Sequence, residues 1–241
     1  MQSVLRYIGG KKINLGNYNI DNYDAYIEPF GGGFSTGLEL IKQGYKGEVI
    51  YNDLDEKVVN FWYSLRDHRD ELLAEITKLR ALELDYFMDK IKKPAGTEIE
   101  RAAIEFVTRE MLTMKGMNYK YQYDDYKFNV LREASDLLQD VRIYNKGYEE
   151  IFIDYDHKSV FMLIDPPYTC EGVDKYYRCN SSKFNHDLLH ERIEALKCQW
   201  LLTYNNDEYI RSLYEGHQIE VKSRNIYITR YIKSYTLANK Q

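Results

Sequence analysis

The chain has 241 residues, 44% hydrophobic and 29% charged, with a formal net charge of −5. That is enough for one large α/β domain with a small inserted subdomain, and the negative charge argues against a non-specific nucleic-acid coat. No apolar stretch approaches the roughly 20 residues that span a bilayer, the opening MQSVLRYIGGKK lacks signal-peptide character, and three cysteines without CxxC spacing read as reduced thiols. A cytoplasmic protein without a membrane segment is expected.

In chain order, the first strand is AYIEP, Ala25 to Pro29, followed by the glycine turn FGGGFS and a helical stretch, TGLELIKQ, that stops at Gly44. The strand GEVIYND comes next, then an amphipathic helix from about Glu56 to Arg66. Strand, glycine loop, helix, strand and acid in that order make a βαβ unit and imply a parallel sheet. From 68 to 135 the pattern changes to helices, with a capping box at Thr97–Glu100 and the polar aromatic stretch MKGMNYKYQYDDYKFNV. No strongly apolar strand shows there, so an inserted subdomain is expected over 68–135, with a catalytic domain made of 1–67 and 136–241. Alternation returns with VRIYN, then the apolar run SVFMLI, a helix from about Asn185 to Leu196, the strand QWLLTY and a β-rich stretch near IEVKSRNIYITRY.

Gly31, Gly32 and Gly33 open at the C-terminal edge of the first strand, where doubly wound sheets bind ligands and where glycine lets the backbone come close. Asp53 ends the next strand, at a spacing that suits a carboxylate accepting from ribose hydroxyls. Phe34-Ser35-Thr36 follows the triplet in place of the GxGxxG pattern, which disfavours NAD and leaves a different nucleoside-containing cofactor.

The stretch LIDPPYTC, Leu163 to Cys170, uses two of the four prolines in the chain. An exocyclic amine on a base is a poor nucleophile because its lone pair is delocalised into the ring. Two acceptors aimed at its N–H bonds favour a pyramidal nitrogen. Asp165 offers a carboxylate, and Pro166 offers a carbonyl that Pro166 and Pro167 hold in place by fixing φ. Tyr168 offers a face for a flat base, worth on the order of 1–3 kcal/mol. A sulfonium methyl held at the glycine loop would complete an in-line transfer that depends on positioning.

With these motifs the chain resembles the DNA adenine-N6 methyltransferases of the Dam (D12-class) family. RYIGGKKINL, YIEPFGGGFSTGLEL, VIYNDLDEKVVNFWYSLRD, DPPY, FNHDLLHERI and WLLTYNND are similar to family motifs and stand in the family's order. The resemblance implies a Rossmann-like S-adenosylmethionine-dependent methyltransferase sheet with a small, mainly helical recognition subdomain. It also implies S-adenosyl-L-methionine as cofactor, and duplex DNA as the partner from which an adenine is flipped. Tyr7 and Lys11 would bind the cofactor. Glu28, Pro29, Phe30, Gly31, Gly32 and Gly33 would wrap its methionyl part, Asp53 would hold its ribose, and Phe184 would pack near its adenine. Asp165, Pro166, Pro167 and Tyr168 would grip the target adenine, with Asp165 also facing the cofactor.

Three departures stand out. Asn145-Lys146-Gly147-Tyr148 replaces the family's N-G-D-[FY], so the family's contact to the cofactor adenine is either lost or replaced by Asn145. In the recognition segment only TREMLTMKGMNYKY and KFNV remain recognisable. The chain also ends early, which bears on the closing hairpin. Arg109, Lys115, Asn118, Tyr119, Lys120 and Lys127 are the candidate DNA contacts; surface-strand packing is the other reading of the tyrosines among them. The basic residues after Glu220 (Lys222, Arg224, Arg230, Lys233 and Lys240) are either a solvated segment or phosphate contacts. Met111, Met114 and Met117 read as core. Thr169 to Phe184 lacks apolar periodicity and is expected to be a mobile loop that orders over the flipped base. Cys170, Cys179, His186 and His190 do not have zinc-site spacing, so no metal is expected. The chain is expected to be a monomer or weak dimer. The other functions considered are a catalytically weakened DNA- or partner-binding relative, and an amino-methyltransferase acting on cytosine-N4, RNA or a protein amide.

Overall fold

A computed structural model describes residues 4–7, 12–80, 82, 84–92, 96–113, 116–117, 125–169, 184–222 and 225–229. After two short 3-10 turns come β1 (Ala25–Glu28), α1 (Ser35–Lys42), β2 (Glu48–Asn52), α2 (Glu56–Asp67), α3 (Arg69–Arg80), α4 (Leu84–Lys92) and α5 (Glu98–Met111). The two-residue strands β3 (Leu112–Thr113) and β4 (Gly116–Met117) pair antiparallel with each other, apart from the main sheet. Then follow α6 (Asp125–Leu137), β5 (Arg142–Tyr144), α7 (Tyr148–Tyr155), β6 (Val160–Ile164), α8 (His186–Ala195), β7 (Gln199–Asn205), α9 (Glu208–Leu213), β8 (Gln218–Lys222) and β9 (Asn225–Thr229).

The main sheet has seven strands in the order β5-β2-β1-β6-β7-β9-β8. The four pairings from β5 to β7 are parallel, while β9 runs antiparallel between β7 and β8. From β1 the chain works outward through β2 to β5, then returns to β6 on the other side of β1 and works outward through β7. The strand order therefore reverses between β1 and β6, and a crevice opens there at their C-terminal ends. The closing hairpin is formed by β8 and β9, which pair antiparallel.

Central strands are apolar on both faces, as a sheet covered on both sides requires. In β6, Phe161 and Leu163 face a core shared with α1, α2, α3, α5 and α6, while Val160, Met162 and Ile164 face a second core shared with α7, α8 and α9. Leu72, Ile76, Phe106 and Val107 belong to the same core as Tyr26, Phe61, Trp62 and Leu163, so the helices between 68 and 135 complete one layer of the sheet domain. The boundary expected at 135/136 falls inside α6.

Local signals account for the helix starts. The side chains of Asp55, Asn185 and Asp207 accept from backbone N–H groups in the first turns of α2, α8 and α9. The capping box forms as expected: Thr97 N donates to Glu100 Oε2 at 2.6 Å and Glu100 N to Thr97 Oγ1 at 3.2 Å. Two helices were not foreseen, α7 and α9. In α7 the sequence YEEIFIDY is rich in aromatic and β-branched residues, yet burial of Ile151 and Phe152 and the acidic first turn hold it helical. Among the described residues no helix is long and apolar enough to cross a membrane.

Candidate active site

The glycine loop after β1 is locked to the end of β2. Gly31 N donates to the Asn52 carbonyl at 2.7 Å, and Gly32 N to Asp53 Oδ2 at 2.8 Å. The Gly32 carbonyl accepts from Tyr51 Oη at 3.2 Å and from Trp62 Nε1 at 3.0 Å. Gly32 has φ +45°, and a Cβ at Gly31 would lie 2.2 Å from the Tyr51 ring, so neither position admits a side chain without displacement. Tyr7 closes the cradle from the other side, its ring against Gly32.

Four acidic or amide side chains organise this edge. Asp53 accepts the Gly32 and Asp55 N–H groups on separate oxygens, and burial raises its pKa above the ordinary carboxylate value. Glu28 is buried, its Oε1 accepting from Tyr26 Oη at 2.8 Å and Gly37 N at 2.7 Å, and burial pushes its pKa up to about 8. Asn52, which the motifs did not single out, donates to the carbonyls of Pro29 (2.9 Å) and Lys146 (3.0 Å) and accepts from Lys146 N at 2.9 Å. It thereby joins the loops after β1 and β5. Asn145 donates to the Asp53 carbonyl at 2.8 Å, so the altered stretch reaches the same edge.

Across the crevice, Asp165 leaves β6 and leads into Pro166, which is buried, and Pro167 and Tyr168, which are half-buried. Asp165 Oδ1 accepts from Thr203 Oγ1 of β7, and Tyr168 Oη lies 3.5 Å from the same oxygen. An aromatic wall links the two loops. Phe30 lies 5.8 Å from Phe184, Phe184 5.0 Å from His186, His186 5.6 Å from Tyr204, and Tyr204 6.2 Å from Tyr168, centroid to centroid. Tyr148 of α7 packs on Phe30 at 5.2 Å and Phe184 at 6.0 Å. Burial lowers the His186 pKa below its ordinary value, favouring a neutral ring that pairs its Nδ1 with Tyr204 Oη at 2.8 Å.

The cradle fits a nucleoside-containing ligand. It combines glycines that exclude side chains, a buried carboxylate with lone pairs beyond those taken by two backbone N–H groups, and aromatic rings for a flat base. The motifs drew Tyr7, Glu28, Pro29, Phe30, Gly31, Gly32, Gly33, Asp53, Asn145, Asp165, Pro166, Pro167, Tyr168 and Phe184 to this edge of the sheet, and all lie at or beside it. Lys11, Lys115, Asn118, Tyr119 and Lys120, and the loop from 170 to 183, lie outside the described residues.

Two expected DNA contacts are placed differently. Arg109, with an 11% exposed side chain, pairs with Glu105 at 2.6 Å and Asp55 at 3.0 Å, and its guanidinium stacks 4.7 Å from the Tyr7 ring centre. Lys127 pairs with the buried Glu110 at 3.1 Å and lies over Phe106. A cation that left these carboxylates for a phosphate would strand a buried negative charge. Both therefore serve the join between α5 and the N-terminal segment, whose Arg6 N also donates to Glu110 at 3.1 Å. Lys222, from the basic stretch, pairs with Glu220 at 3.1 Å. No cluster of His, Cys, Asp or Glu able to hold a metal occurs among the described residues.

The chain is similar to known proteins along most of its length. A family model described as D12 class N6 adenine-specific DNA methyltransferase matches residues 7–228. The Type II methyltransferase M.CviBI of Paramecium bursaria Chlorella virus NC1A is 25% identical over 232 residues, covering 90% of this chain and 88% of its own. The Type II methyltransferase M.MjaIII of Methanocaldococcus jannaschii is 24% identical over 233 residues, covering 83% and 80%. Among solved structures, the rRNA methyltransferase aviRa from Streptomyces viridochromogenes aligns over 95% of this chain and 90% of its own, at 11% identity and a TM-score of 0.43. The match over residues 7–228, on a Rossmann-like sheet whose glycine loop faces a DPPY turn, makes this chain a member of the D12 class of N6 adenine-specific DNA methyltransferases.

Proposed function

We propose that this site methylates the N6 amino group of an adenine flipped out of duplex DNA, with Asp165 and the Pro166 carbonyl accepting its two N–H bonds and Tyr168 stacking on its ring. The observation that carries this reading is the position of Asp165-Pro166-Pro167-Tyr168 directly after β6, across the strand-order reversal from the glycine loop after β1. S-adenosylmethionine, when bound, supplies an electrophilic methyl group on a sulfonium.

The chain's own residues do the positioning. Gly31 to Gly33 let the backbone come close to the methionyl part, Asp53 accepts from ribose hydroxyls, and Phe30, Tyr148 and Phe184 flank the cofactor's base. Asp165 and the Pro166 carbonyl draw on the amine's two hydrogens, which localises the nitrogen lone pair toward the methyl. Such preorganised partners typically contribute on the order of 10²–10³ in rate. The segment from 68 to 135 is assigned to target recognition, with Lys115, Asn118, Tyr119 and Lys120 as its candidate DNA contacts. The two relatives named Type II methyltransferases support the same reaction class.

The test is to incubate the protein with labelled S-adenosylmethionine and unmethylated duplex DNA, digest, and identify the labelled nucleoside. N6-methyladenine is expected; label in N4-methylcytosine, or in RNA offered alongside, would overturn the proposed substrate.

A further inference from the structure

Thr203 occupies a position where packing alone calls for an apolar residue. In β7 the preceding Leu201 faces one core and Leu202 and Tyr204 face the other, and Thr203 itself is 0% exposed. Valine has the same shape and would fill the place. A hydroxyl buried there is costly unless it is hydrogen-bonded. Its acceptor is Asp165 Oδ1, on the neighbouring strand's end, where β6 and β7 pair through Ile164 and Leu202.

We propose that Thr203 is a positioning residue for methyl transfer, its hydroxyl fixing the rotation of the Asp165 carboxylate so that the target amine meets an oriented acceptor. The terminal torsion of an aspartate is broad, so a carboxylate at a strand end samples a wide range of orientations unless something anchors one oxygen. Tyr168 Oη approaches the same Oδ1, but at 3.5 Å, and its ring is committed to the base. Thr203 belongs to the rigid sheet, and an anchor on a strand holds geometry better than one on a loop. The hydroxyl acts through Asp165 and does not touch the base.

This inference rests on the reading of Asp165 above, and the experiment separates the two. Single-turnover methylation rates, the KM for S-adenosylmethionine, DNA affinity and thermal unfolding are measured for wild type, Thr203→Val, Thr203→Ser and Asp165→Ala. Thr203→Val is expected to lower the single-turnover rate 10- to 100-fold, roughly the loss that a misplacement near 1 Å produces, with both affinities within about twofold of wild type. Thr203→Ser, which keeps the hydroxyl, is expected to recover the rate to within about threefold. If Thr203→Val does not fold, Thr203→Ala against Thr203→Ser makes the same comparison. A wild-type rate in Thr203→Val alongside an inactive Asp165→Ala would overturn the role of Thr203 and leave that of Asp165 standing. An active Asp165→Ala would overturn both. Equal losses in Thr203→Val and Thr203→Ser, or a rate loss matched by lost cofactor affinity, would mean that the residue serves packing and would overturn the proposal.

Discussion

Glu28 shows how a single side chain at this edge ties fold to charge. Its Oε1 takes the Tyr26 hydroxyl and the Gly37 N–H, so it holds β1 to the first turn of α1 beneath the glycine loop. Burial raises its pKa from 4.5 to about 8. The folded chain therefore keeps this proton more tightly than the unfolded chain does. The stability it confers is complete below pH about 4.5 and is lost as pH rises through about 8. Glu28→Gln mimics the protonated form, so its Tm is expected to exceed that of wild type at pH about 8.5 and to match it at pH about 5. Parallel Tm curves for the two proteins would contradict this. At Gly31 the issue is space: the added methyl of Gly31→Ala meets the Tyr51 ring. The substitution is expected to cost about 1–3 kcal/mol in chemical denaturation and to weaken cofactor binding in a titration, because the loop must shift.

At the scale of elements, the last turns of α5 matter more than the motifs suggested. Glu105, Arg109 and Glu110 meet Asp55, Tyr7, Arg6 and Lys127, binding the helix that leads into β3 to the segment that closes the cofactor cradle. The i,i+4 pair of Glu105 and Arg109 is visible in the chain as written, but Asp55 lies 54 positions away and becomes a partner only through α2 packing on α5. An arginine near a recognition motif therefore passes for a surface cation when only its neighbours in sequence are considered. Arg109→Met is expected to cost about 3–5 kcal/mol, because it strands the buried Glu105 and the half-buried Asp55. Arg109→Lys is expected to raise the KM for S-adenosylmethionine while leaving the salt dependence of DNA binding unchanged. Loss of a phosphate contact would instead reduce the log–log salt slope by about 1, and that result would return Arg109 to the DNA surface.

For the whole molecule, the order of the motifs was legible because the glycine loop, Asp53, DPPY and the end of WLLTYNND follow the ends of parallel strands, and parallel sheets gather the C-terminal ends of their strands along one edge. The βαβ start, the apolar β6 and the turn after it suffice to bring Gly31 to Gly33 and Asp165 together. Asn52 and Thr203 escaped notice because their roles depend on partners in other strands and loops. Likewise, α7 escaped because its helix depends on tertiary burial of Ile151 and Phe152. The altered Asn145-Lys146-Gly147 stretch is tied into the edge through Asn52 and Asp53, which keeps it beside the cofactor cradle despite its departure from the family pattern. The central claim is that Asp165 acts on the amine and leaves cofactor binding to the glycine loop. Its most direct test measures N6-methyladenine formation and S-adenosylmethionine affinity side by side in wild type and Asp165→Ala. N6-methyladenine in wild type, its loss in the variant and cofactor affinity within a few-fold are predicted. Methylation persisting in Asp165→Ala, or both quantities falling together, would contradict the account.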